Sequence, residues 1–290
     1  MKRILLIGKN GQIGWELHRT LSALGEVFAT DYDTLDLKDA ATIRATVQKV
    51  RPHIIVNAGA YTSVDKAESE LDLNNAVNSK GPAILADEAR KSGAILVHFS
   101  TDYIFDGTAQ IPYSETAASK PLSAYGSAKL QGELAIVNSG CKYLIFRTSW
   151  IYSNRGKNFL LTMLSLAQTK PIISVVNDQI GAPTWARSVA EGTALALHQV
   201  MYTNKEEKWG TYNMSCAGKT TWYEFTQEIF RLCPNPQVEI QPIPTTQYPT
   251  PAKRPAFSLL DNQKILNTFN ISLPHWKQAL ELCLQERTTV

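Results

Sequence analysis

The chain has 290 residues, enough for one large domain or two small ones, and 44% of them are hydrophobic. Its 29 Lys and Arg residues outnumber its 26 Asp and Glu residues, but no basic run concentrates the excess, so we expect no nucleic-acid partner. No stretch approaches the roughly 18 apolar residues of a membrane-spanning helix, so we expect no membrane partner. The four cysteines lie far apart without a C-x-x-C pair, which argues against a structural zinc site. The same spacing suggests reduced thiols, and we therefore expect a cytoplasmic protein.

The first half of the chain alternates short apolar runs with amphipathic stretches. The apolar runs predict strands at residues 4–7, 26–30, 54–56, 95–100 and 143–147. The stretches with helical spacing lie at residues 14–24, 41–50, 75–92 and 125–137. Short, uniformly apolar strands separated by helices indicate a parallel sheet that is covered on both faces. With right-handed crossovers, this pattern predicts an α/β protein with a doubly wound, Rossmann-type sheet.

The second half of the chain contains a cluster of prolines. They are Pro234, Pro236, Pro242, Pro244, Pro249, Pro251 and Pro255. This region predicts short elements and loops, followed by a helix near residues 276–286. We therefore expect a doubly wound domain over residues 1–149, to which a helix near residues 185–200 returns. Residues 150–184 and 201–290 are expected to form a smaller, substrate-binding lobe.

A glycine-rich turn joins the first predicted strand to the first predicted helix. Gly8, Gly11 and Gly14 follow one another at intervals of three, with Gln12 and Ile13 between the last two. Glycines let the backbone approach a pyrophosphate, which the free N–H groups and positive dipole end of the helix can bind. The spacing differs from the commoner G-x-G-x-x-G of dinucleotide sites. The turn predicts a dinucleotide site, with a strand–helix turn that binds no ligand as the alternative.

An acidic residue stands where a dinucleotide site often has one. Asp31 lies 20 residues beyond Gly11, at the end of the second predicted strand, and its carboxylate can accept hydrogen bonds from the adenosine ribose. Its negative charge would repel the 2′-phosphate of NADPH and favours NADH, although a cation such as Lys9 would offset the repulsion. An ordinary turn aspartate is the alternative. Asp36 and Leu37 would follow near the adenine.

Tyr125 and Lys129 are four residues apart on a predicted helix, so they share a face. A tyrosine hydroxyl has an ordinary pKa of about 10, and a neighbouring ammonium lowers it by favouring the phenolate. The phenol can then donate a proton to a carbonyl oxygen while a hydride reaches the carbonyl carbon. A Tyr and a Lys at this spacing are common by chance, so the interpretation depends on what surrounds them.

Further candidates follow the fourth and fifth predicted strands, at the carboxyl ends where open α/β sheets bind ligands. Thr101 could hydrogen-bond the same carbonyl oxygen, and Asp102 and Tyr103 come next on a loop that could touch substrate. Trp150 could stack on a sugar or a base. The alternatives are a capping or turn role for Thr101 and Asp102, and a place in the core for Trp150.

Together these residues resemble the extended short-chain dehydrogenase/reductase superfamily, in which the glycine spacing, the Thr and the Tyr-x-x-x-Lys occur in this order. Within it, the chain resembles most closely the dTDP-4-dehydrorhamnose reductase family. The matching segments are GKNGQIGWEL (8–17), AYTSVDKAE (60–68), STDYIF (100–105), FRTSW (146–150), NDQIGAPT (177–184) and YPTPAKRP (248–255). They extend over nearly the whole chain, and the later ones are specific to this family.

The resemblance implies reduction of the C4 ketone of dTDP-4-dehydro-β-L-rhamnose by NADPH or NADH, in a pathway that supplies surface polysaccharides such as O-antigen. The implied cofactor contacts are Gly8, Gly11, Gln12, Ile13, Gly14, Asp31, Asp36, Leu37, Ala60, Tyr61, Thr62, Tyr125 and Lys129. The implied substrate contacts are Val64, Thr101, Asp102, Tyr103, Trp150 and Arg254. Tyr125 would be the proton donor, and Lys129 would adjust the pKa of that tyrosine and anchor the cofactor ribose. For Arg254, a contact with substrate phosphate and a structural ion pair remain alternatives.

The chain departs from the family at one position. Some members dimerise through a magnesium ion held by glutamates, and Glu16 matches one ligand position. Arg187 stands in the helix where another glutamate is expected, and its positive charge would repel the metal. We therefore predict no metal site. A homodimer is a possible assembly, but we do not expect one that is bridged by magnesium.

Two other functions remain as alternatives. A sugar-nucleotide dehydratase or epimerase is the nearest, but a dehydratase follows its catalytic Thr with Asp-Glu, whereas Asp102 is followed here by Tyr103. A non-catalytic nucleotide-binding regulatory subunit is the other. The presence of Thr101, Tyr125 and Lys129 together argues against it, because binding alone does not require all three.

Overall fold

The computed structural model describes residues 1–202, 208–233 and 238–288. Its strands are β1 (Arg3–Ile7), β2 (Glu26–Thr30), β3 (Ile54–Asn57), β4 (Ile95–Thr101), β5 (Lys142–Thr148), β6 (Ile151–Tyr152), β7 (Ile172–Val176), β8 (Ile180–Gly181), β9 (Thr184–Trp185), β10 (Gly210–Asn213), β11 (Thr220–Thr221) and β12 (Glu239–Ile243). Its α-helices are α1 (Gln12–Thr20), α2 (Ala40–Val50), α3 (Leu71–Asn75), α4 (Gly81–Ser92), α5 (Ala124–Val137), α6 (Phe159–Leu166), α7 (Ala186–Tyr202), α8 (Trp222–Leu232), α9 (Gln263–Phe269) and α10 (Trp276–Thr288). Among the residues just given, no helix is long and apolar enough to cross a membrane.

Six strands form one parallel sheet in the order β10-β5-β4-β3-β1-β2. In the register of this sheet, Leu5 of β1 lies opposite Phe28 of β2 and Ile55 of β3. Every residue of β3 is buried, as is nearly every residue of β1 and β4. Strands of this kind need cover on both faces, and helices provide it. The predicted doubly wound α/β fold is therefore confirmed.

Each face of the sheet has its own hydrophobic core. On one face, α1 packs against α7, with Leu17 and Val189 fully buried among sheet residues. On the other face, Ile43 of α2, Leu85 of α4 and Ile136 of α5 are fully buried. Burying one such side chain stabilises the fold by about 1.5–3 kcal/mol, so these faces fix the helices against the sheet.

The helix predicted over residues 75–92 consists of three segments. The helix α3 ends at Asn75, a π-helical turn spans Ala76–Lys80, and α4 follows. Pro82 lies in the first turn of α4 and has no N–H to donate to the carbonyl four residues earlier, which belongs to Asn78. The loss of that bond is a physical reason for the wider turn. The helix ends before Gly93, whose left-handed conformation makes it the predicted cap.

The chain passes more than once between the six-stranded sheet and a second, separate hydrophobic core. The predicted returning helix corresponds to α7, and a separate core around Phe225 and Trp276 joins α6, α8 and α10. Within the range expected for the smaller lobe, however, Tyr212 of β10 and Phe269 of α9 pack in the core beside α1. We therefore propose that β10 and α9 belong with the sheet, and that the rest of residues 150–184 and 201–290 forms the smaller lobe.

The proline-rich range contains regular structure. Pro242 lies in β12, which pairs in parallel with β7 to form a two-stranded ribbon. A strand with an open edge tolerates a missing N–H group, which explains why a proline is accommodated there. Pro234 and Pro236 lie outside the described residues.

Candidate active site

The carboxyl ends of the parallel strands border a cleft of about 780 Å³. The predicted site residues that line it are Gly8, Gly11, Gln12, Ile13, Asp31, Asp36, Leu37, Ala60, Tyr61, Thr62, Val64, Thr101, Asp102, Tyr103, Tyr125, Lys129 and Trp150. Two predicted site residues, Gly14 and Arg254, are not among the described residues that line the cleft. A larger cavity of about 1040 Å³ lies around Lys2, Arg51 and Trp209 at the amino ends of the strands. Ligands of open α/β sheets bind at the carboxyl ends, so the first cleft is the candidate site.

The glycine turn brings backbone close to backbone at the edge of the cleft. Gly8 has a φ of 84°, and a Cβ on it would lie 2.7 Å from the nitrogen of Gly59. A Cβ on Gly14 would lie 1.9 Å from the carbonyl oxygen of Gly8, so this glycine lets α1 begin tightly against β1. The first turn of α1 carries no acidic residue. An open backbone cradle thus meets the positive end of a helix, which fits the pyrophosphate of a dinucleotide.

Asp31 follows β2 directly and borders the cleft. Its Oδ2 accepts the backbone N–H of Asn10 at 2.8 Å, and its Oδ1 accepts that of Tyr32 at 2.9 Å. The carboxylate therefore supports the turn, and its remaining lone pairs can still accept from a ribose. The cations among the described lining residues are Lys38, Lys129 and Lys157, not Lys9.

A buried asparagine that the sequence analysis missed fixes the backbone of residues 60–62. Asn78, in the π-helical turn, accepts the backbone N–H of Tyr61 at 3.1 Å and donates to the Tyr61 carbonyl oxygen at 2.9 Å. It also donates to Asn74 Oδ1 at 2.8 Å. The proline at position 82 was the available signal, because it predicts a disturbed helix at this point.

The start of α5 places Tyr125. Ser123 caps the helix by accepting the backbone N–H of Gly126 at 3.1 Å. A Cβ on Gly126 would lie 2.2 Å from the carbonyl oxygen of Tyr103, so glycine allows α5 to approach the turn after β4. The rings of Tyr125 and Tyr103 meet edge to face, with centroids 5.8 Å apart. Tyr125 is 9% exposed, and its hydroxyl lies next to the side chain of Thr101.

The structure does not show the expected lowering of the Tyr125 pKa by the charge of Lys129. Burial raises the pKa of Tyr125 above its ordinary value. The Lys129 Nζ donates to the carbonyl oxygen of Phe99 at 2.5 Å and lies 3.2 Å from His98 Nε2. Burial lowers the pKa of Lys129 to about 8, against the opposing effect of the Glu133 carboxylate. The predicted acidic phenol is thus corrected, because burial disfavours the charged forms of both groups.

Asp102 lies buried on the turn after β4. Its Oδ1 accepts the hydroxyl of Thr101 at 3.1 Å, and its Oδ2 accepts that of Ser149 at 2.9 Å. Burial nevertheless raises the pKa of Asp102 to about 6. The neighbouring Ser100 borders the cleft, and its buried hydroxyl has no hydrogen-bond partner among the described residues. An unpaired hydroxyl beside a perturbed carboxyl indicates that a polar ligand completes this part of the site.

Trp150 and Trp222 stack beside the cleft, with ring centroids 3.5 Å apart and planes 7° apart. Trp150 has a φ of 47°, which is unusual for a bulky residue. A Cβ on Gly181 would lie 2.5 Å from its indole. Trp222 donates from Nε1 to Gln179 at 3.2 Å. Trp222 was not predicted as a site residue, because it begins a helix far along the chain and no local pattern pairs it with Trp150.

Two arginines singled out in the sequence have partners within the chain. Arg254 forms a two-pronged ion pair with Asp65, at 3.1 and 2.8 Å, which is the structural alternative considered for it. Arg187 donates from Nε to Glu16 at 3.1 Å and also pairs with Glu286. The Arg187 guanidinium therefore neutralises the glutamate that matches a magnesium ligand.

Comparisons with known proteins agree with this architecture. The profile of the RmlD substrate binding domain family matches residues 1–289. A dTDP-4-dehydrorhamnose reductase of Burkholderia thailandensis is 44% identical over 293 aligned positions, which cover 98% of each chain. A crystal structure of a dTDP-4-dehydrorhamnose reductase from Clostridium acetobutylicum matches with a TM-score of 0.90 and 37% identity, over 99% of both chains. One from Bacillus anthracis, in complex with NADP, matches with a TM-score of 0.90 and 35% identity, over 98% of this chain and 99% of the other. The chain therefore belongs to the dTDP-4-dehydrorhamnose reductase family.

Proposed function

We propose that the chain reduces the C4 ketone of dTDP-4-dehydro-β-L-rhamnose with NADPH or NADH to give dTDP-β-L-rhamnose. The observation that carries the proposal is one cleft bordered both by the glycine turn and by a buried tyrosine hydroxyl that lies next to Thr101. The names of the relatives support the substrate, and the NADP complex supports the cofactor. The product would supply rhamnose for surface polysaccharides such as O-antigen from a cytoplasmic pool.

The cofactor end of the cleft is assigned to the first three strand ends. A bound NADPH or NADH supplies the hydride for C4. The backbone of Gly8 and Gly11, with Gln12 and Ile13, would hold its pyrophosphate, and Gly14 would keep α1 in place behind them. The residues assigned to the adenosine are Asp31, Asp36 and Leu37, and those assigned to the middle of the cofactor are Ala60, Tyr61 and Thr62.

Tyr125 is assigned the proton. Because burial raises its pKa, its hydroxyl stays protonated at neutral pH, which is the form that a donor to a ketone oxygen needs. The Thr101 hydroxyl, next to this phenol, would polarise the same ketone by turning its proton from Asp102 to the ketone oxygen. Lys129 lies one helical turn further on, and its ammonium form would offset the negative charge that remains on the phenol oxygen.

The substrate end of the cleft is assigned to the residues after β4 and β5. Asp102 and the unpaired Ser100 hydroxyl offer hydrogen bonds to sugar hydroxyls. Trp150 offers an apolar ring face, and Val64 and Tyr103 complete the lining. Arg254 would have to bind a phosphate oxygen while it keeps its pair with Asp65, so its assignment rests on the family resemblance alone.

The test is an assay with dTDP-4-dehydrorhamnose freshly made by the upstream enzymes. We expect one NADPH or NADH to be oxidised for each ketosugar consumed, with dTDP-rhamnose as the product. The matched control is dTDP-glucose, which has no ketone and should cause no oxidation of NADPH or NADH. A dehydratase or epimerase would change a nucleotide sugar without net oxidation of the cofactor, and a regulatory subunit would do neither. Either of those results would overturn the proposal.

A further inference from the structure

A buried hydrogen-bonded chain lies at the ends of β3 and β4. It begins at the backbone N–H of Gly59, passes through the side chains of Asn57 and His98, and ends at Lys129. Asn57 and His98 are each 1% exposed, and Lys129 is 2% exposed. Neither Asn57 nor His98 is among the described residues that line the cleft, so the reaction assigned above gives them no role.

The direction of this chain follows from its first member. A backbone N–H can only donate, and that of Gly59 lies 3.1 Å from Asn57 Oδ1. The amide nitrogen of Asn57, a donor, therefore faces His98 Nδ1 at 3.1 Å. Because Nδ1 must accept, the proton of the neutral imidazole is on Nε2. The Nε2–H of His98 then meets Lys129 Nζ, 3.2 Å away.

The last contact of the chain depends on the charge of Lys129. Its Nζ also lies 2.5 Å from the carbonyl oxygen of Phe99, which can only accept. An ammonium has no lone pair, so it would face the His98 Nε2–H as donor against donor. An amine accepts from His98 and donates to Phe99. Every contact of the chain is therefore satisfied when Lys129 is uncharged.

We propose that Asn57 and His98 are positioning residues, which hold Lys129 in place and favour its amine form through a one-way hydrogen-bond chain. This polarity does not depend on the proposed function. Its consequence for the rate does: the charge that Lys129 offers to the phenolate of Tyr125 would be switched by pH in the neutral to mildly alkaline range.

The surrounding groups are consistent with this arrangement. Burial holds the pKa of His98 well below its ordinary value, and any charge on Lys129 lowers it further, so the imidazole stays neutral in either form of the lysine. Burial lowers the pKa of Lys129 to about 8, while the carboxylate of Glu133 on α5 opposes that shift. Glu133 is itself paired with Arg147 of β5 at 2.7 Å. The titratable groups at this end of the site also include Asp102 and Tyr103 after β4 and Tyr125 on α5.

The substitution Asn57→Asp reverses the chain with little change of shape. A carboxylate can accept from both Gly59 N–H and His98 Nδ1–H, which moves the imidazole proton from Nε2 to Nδ1. His98 Nε2 then accepts, and Lys129 can donate to it as an ammonium. In ¹⁵N NMR spectra of histidine-labelled protein, we expect wild-type His98 to show a proton on Nε2 between about pH 5.5 and pH 9, and the variant to show it on Nδ1.

The pH profile of kcat provides a second readout, which a merely structural role would not move. We expect the wild-type kcat to fall as the pH rises through the Lys129 pKa of about 8. In Asn57→Asp the midpoint should rise by about one pH unit or more. The matched control is His198→Gln, which changes an exposed histidine of α7 and should leave both readouts as in the wild type.

Three outcomes would overturn the proposal. One is a wild-type His98 with its proton on Nδ1, and another is a His98 that titrates near its ordinary pKa of about 6.5. The third is an unchanged kcat midpoint in a variant whose tautomer has moved. The wild-type spectrum decides the polarity even if the variant does not fold. It also decides it if the chain does not reduce the dTDP-ketosugar, so the two proposals fail separately.

Discussion

Two groups of side chains border the cleft, and the fold assembles them differently. The catalytic group, Thr101, Tyr125 and Lys129, comes from β4 and α5, which pack directly on one another. The aromatic wall, Trp150 and Trp222, comes from the turn after β5 and from the start of α8. The first depends on the spacing within one helix and the end of one strand. The second depends on how the smaller lobe packs against the sheet.

The two groups also differ in burial and charge. Each side chain of the catalytic group is less than 10% exposed, and burial shifts the pKa values of Tyr125 and Lys129. The aromatic wall is partly exposed and carries no charge. Perturbed titratable groups act on chemistry, whereas rings act through contact area. We therefore expect changes in the catalytic group to lower kcat and changes in the aromatic wall to raise KM.

The largest effect is expected for Tyr125→Phe. Loss of the proton donor should lower kcat by about 10²–10⁴-fold, while the protein folds and binds NADPH with nearly unchanged affinity. Steady-state assays and cofactor fluorescence titration measure the two quantities. The matched control is Tyr103→Phe, which changes the adjacent ring and should cost less than about tenfold in kcat. Near wild-type turnover in Tyr125→Phe would reject the proposed acid.

A smaller effect, on stability, is expected for Asp102→Asn. Burial raises the pKa of Asp102 from 3.8 to about 6, so the folded state binds this proton more tightly than the unfolded state does. Its contribution to the free energy of unfolding should therefore fall by about 3 kcal/mol as the pH rises from about 3 to about 7. The variant should lack that fall in urea titrations at several pH values. The exposed Asp33 provides the control Asp33→Asn, and parallel curves for wild type and Asp102→Asn would contradict the prediction.

Trp222→Ala tests the aromatic wall. Removing the stacked ring leaves Trp150 without its neighbour, which should raise KM for the dTDP-sugar by about tenfold with little change in kcat. Trp222→Phe keeps an aromatic face and should recover most of the affinity. A loss confined to kcat would place Trp222 with the catalytic group and remove the distinction between the two.

The smallest effect is expected for Asp31→Ala, at the cofactor end of the cleft. The carboxylate can accept from the ribose of NADH and repels the 2′-phosphate of NADPH, so its removal should weaken NADH more than NADPH by a few-fold. Dissociation constants for both cofactors measure the change, with Asp33→Ala as the control. An unchanged preference would remove Asp31 from the cofactor site.

The sequence by itself determined the features that local spacing controls. Apolar periodicity indicated the parallel sheet, and the interval between Gly8 and Gly14 indicated the turn at its edge. The four-residue spacing of Tyr125 and Lys129 placed both side chains beside one cleft. These features depend on neighbours within a few residues, and such neighbours are visible in a sequence.

The tertiary structure alone decided the rest. It turned Lys129 toward Phe99 and His98, paired Arg254 with Asp65, and brought β10 into the sheet. It also set the direction of the pKa shifts, because the degree of burial is a property of the whole packed chain. Contacts between residues far apart in sequence follow from that packing, so no local sequence pattern predicts them.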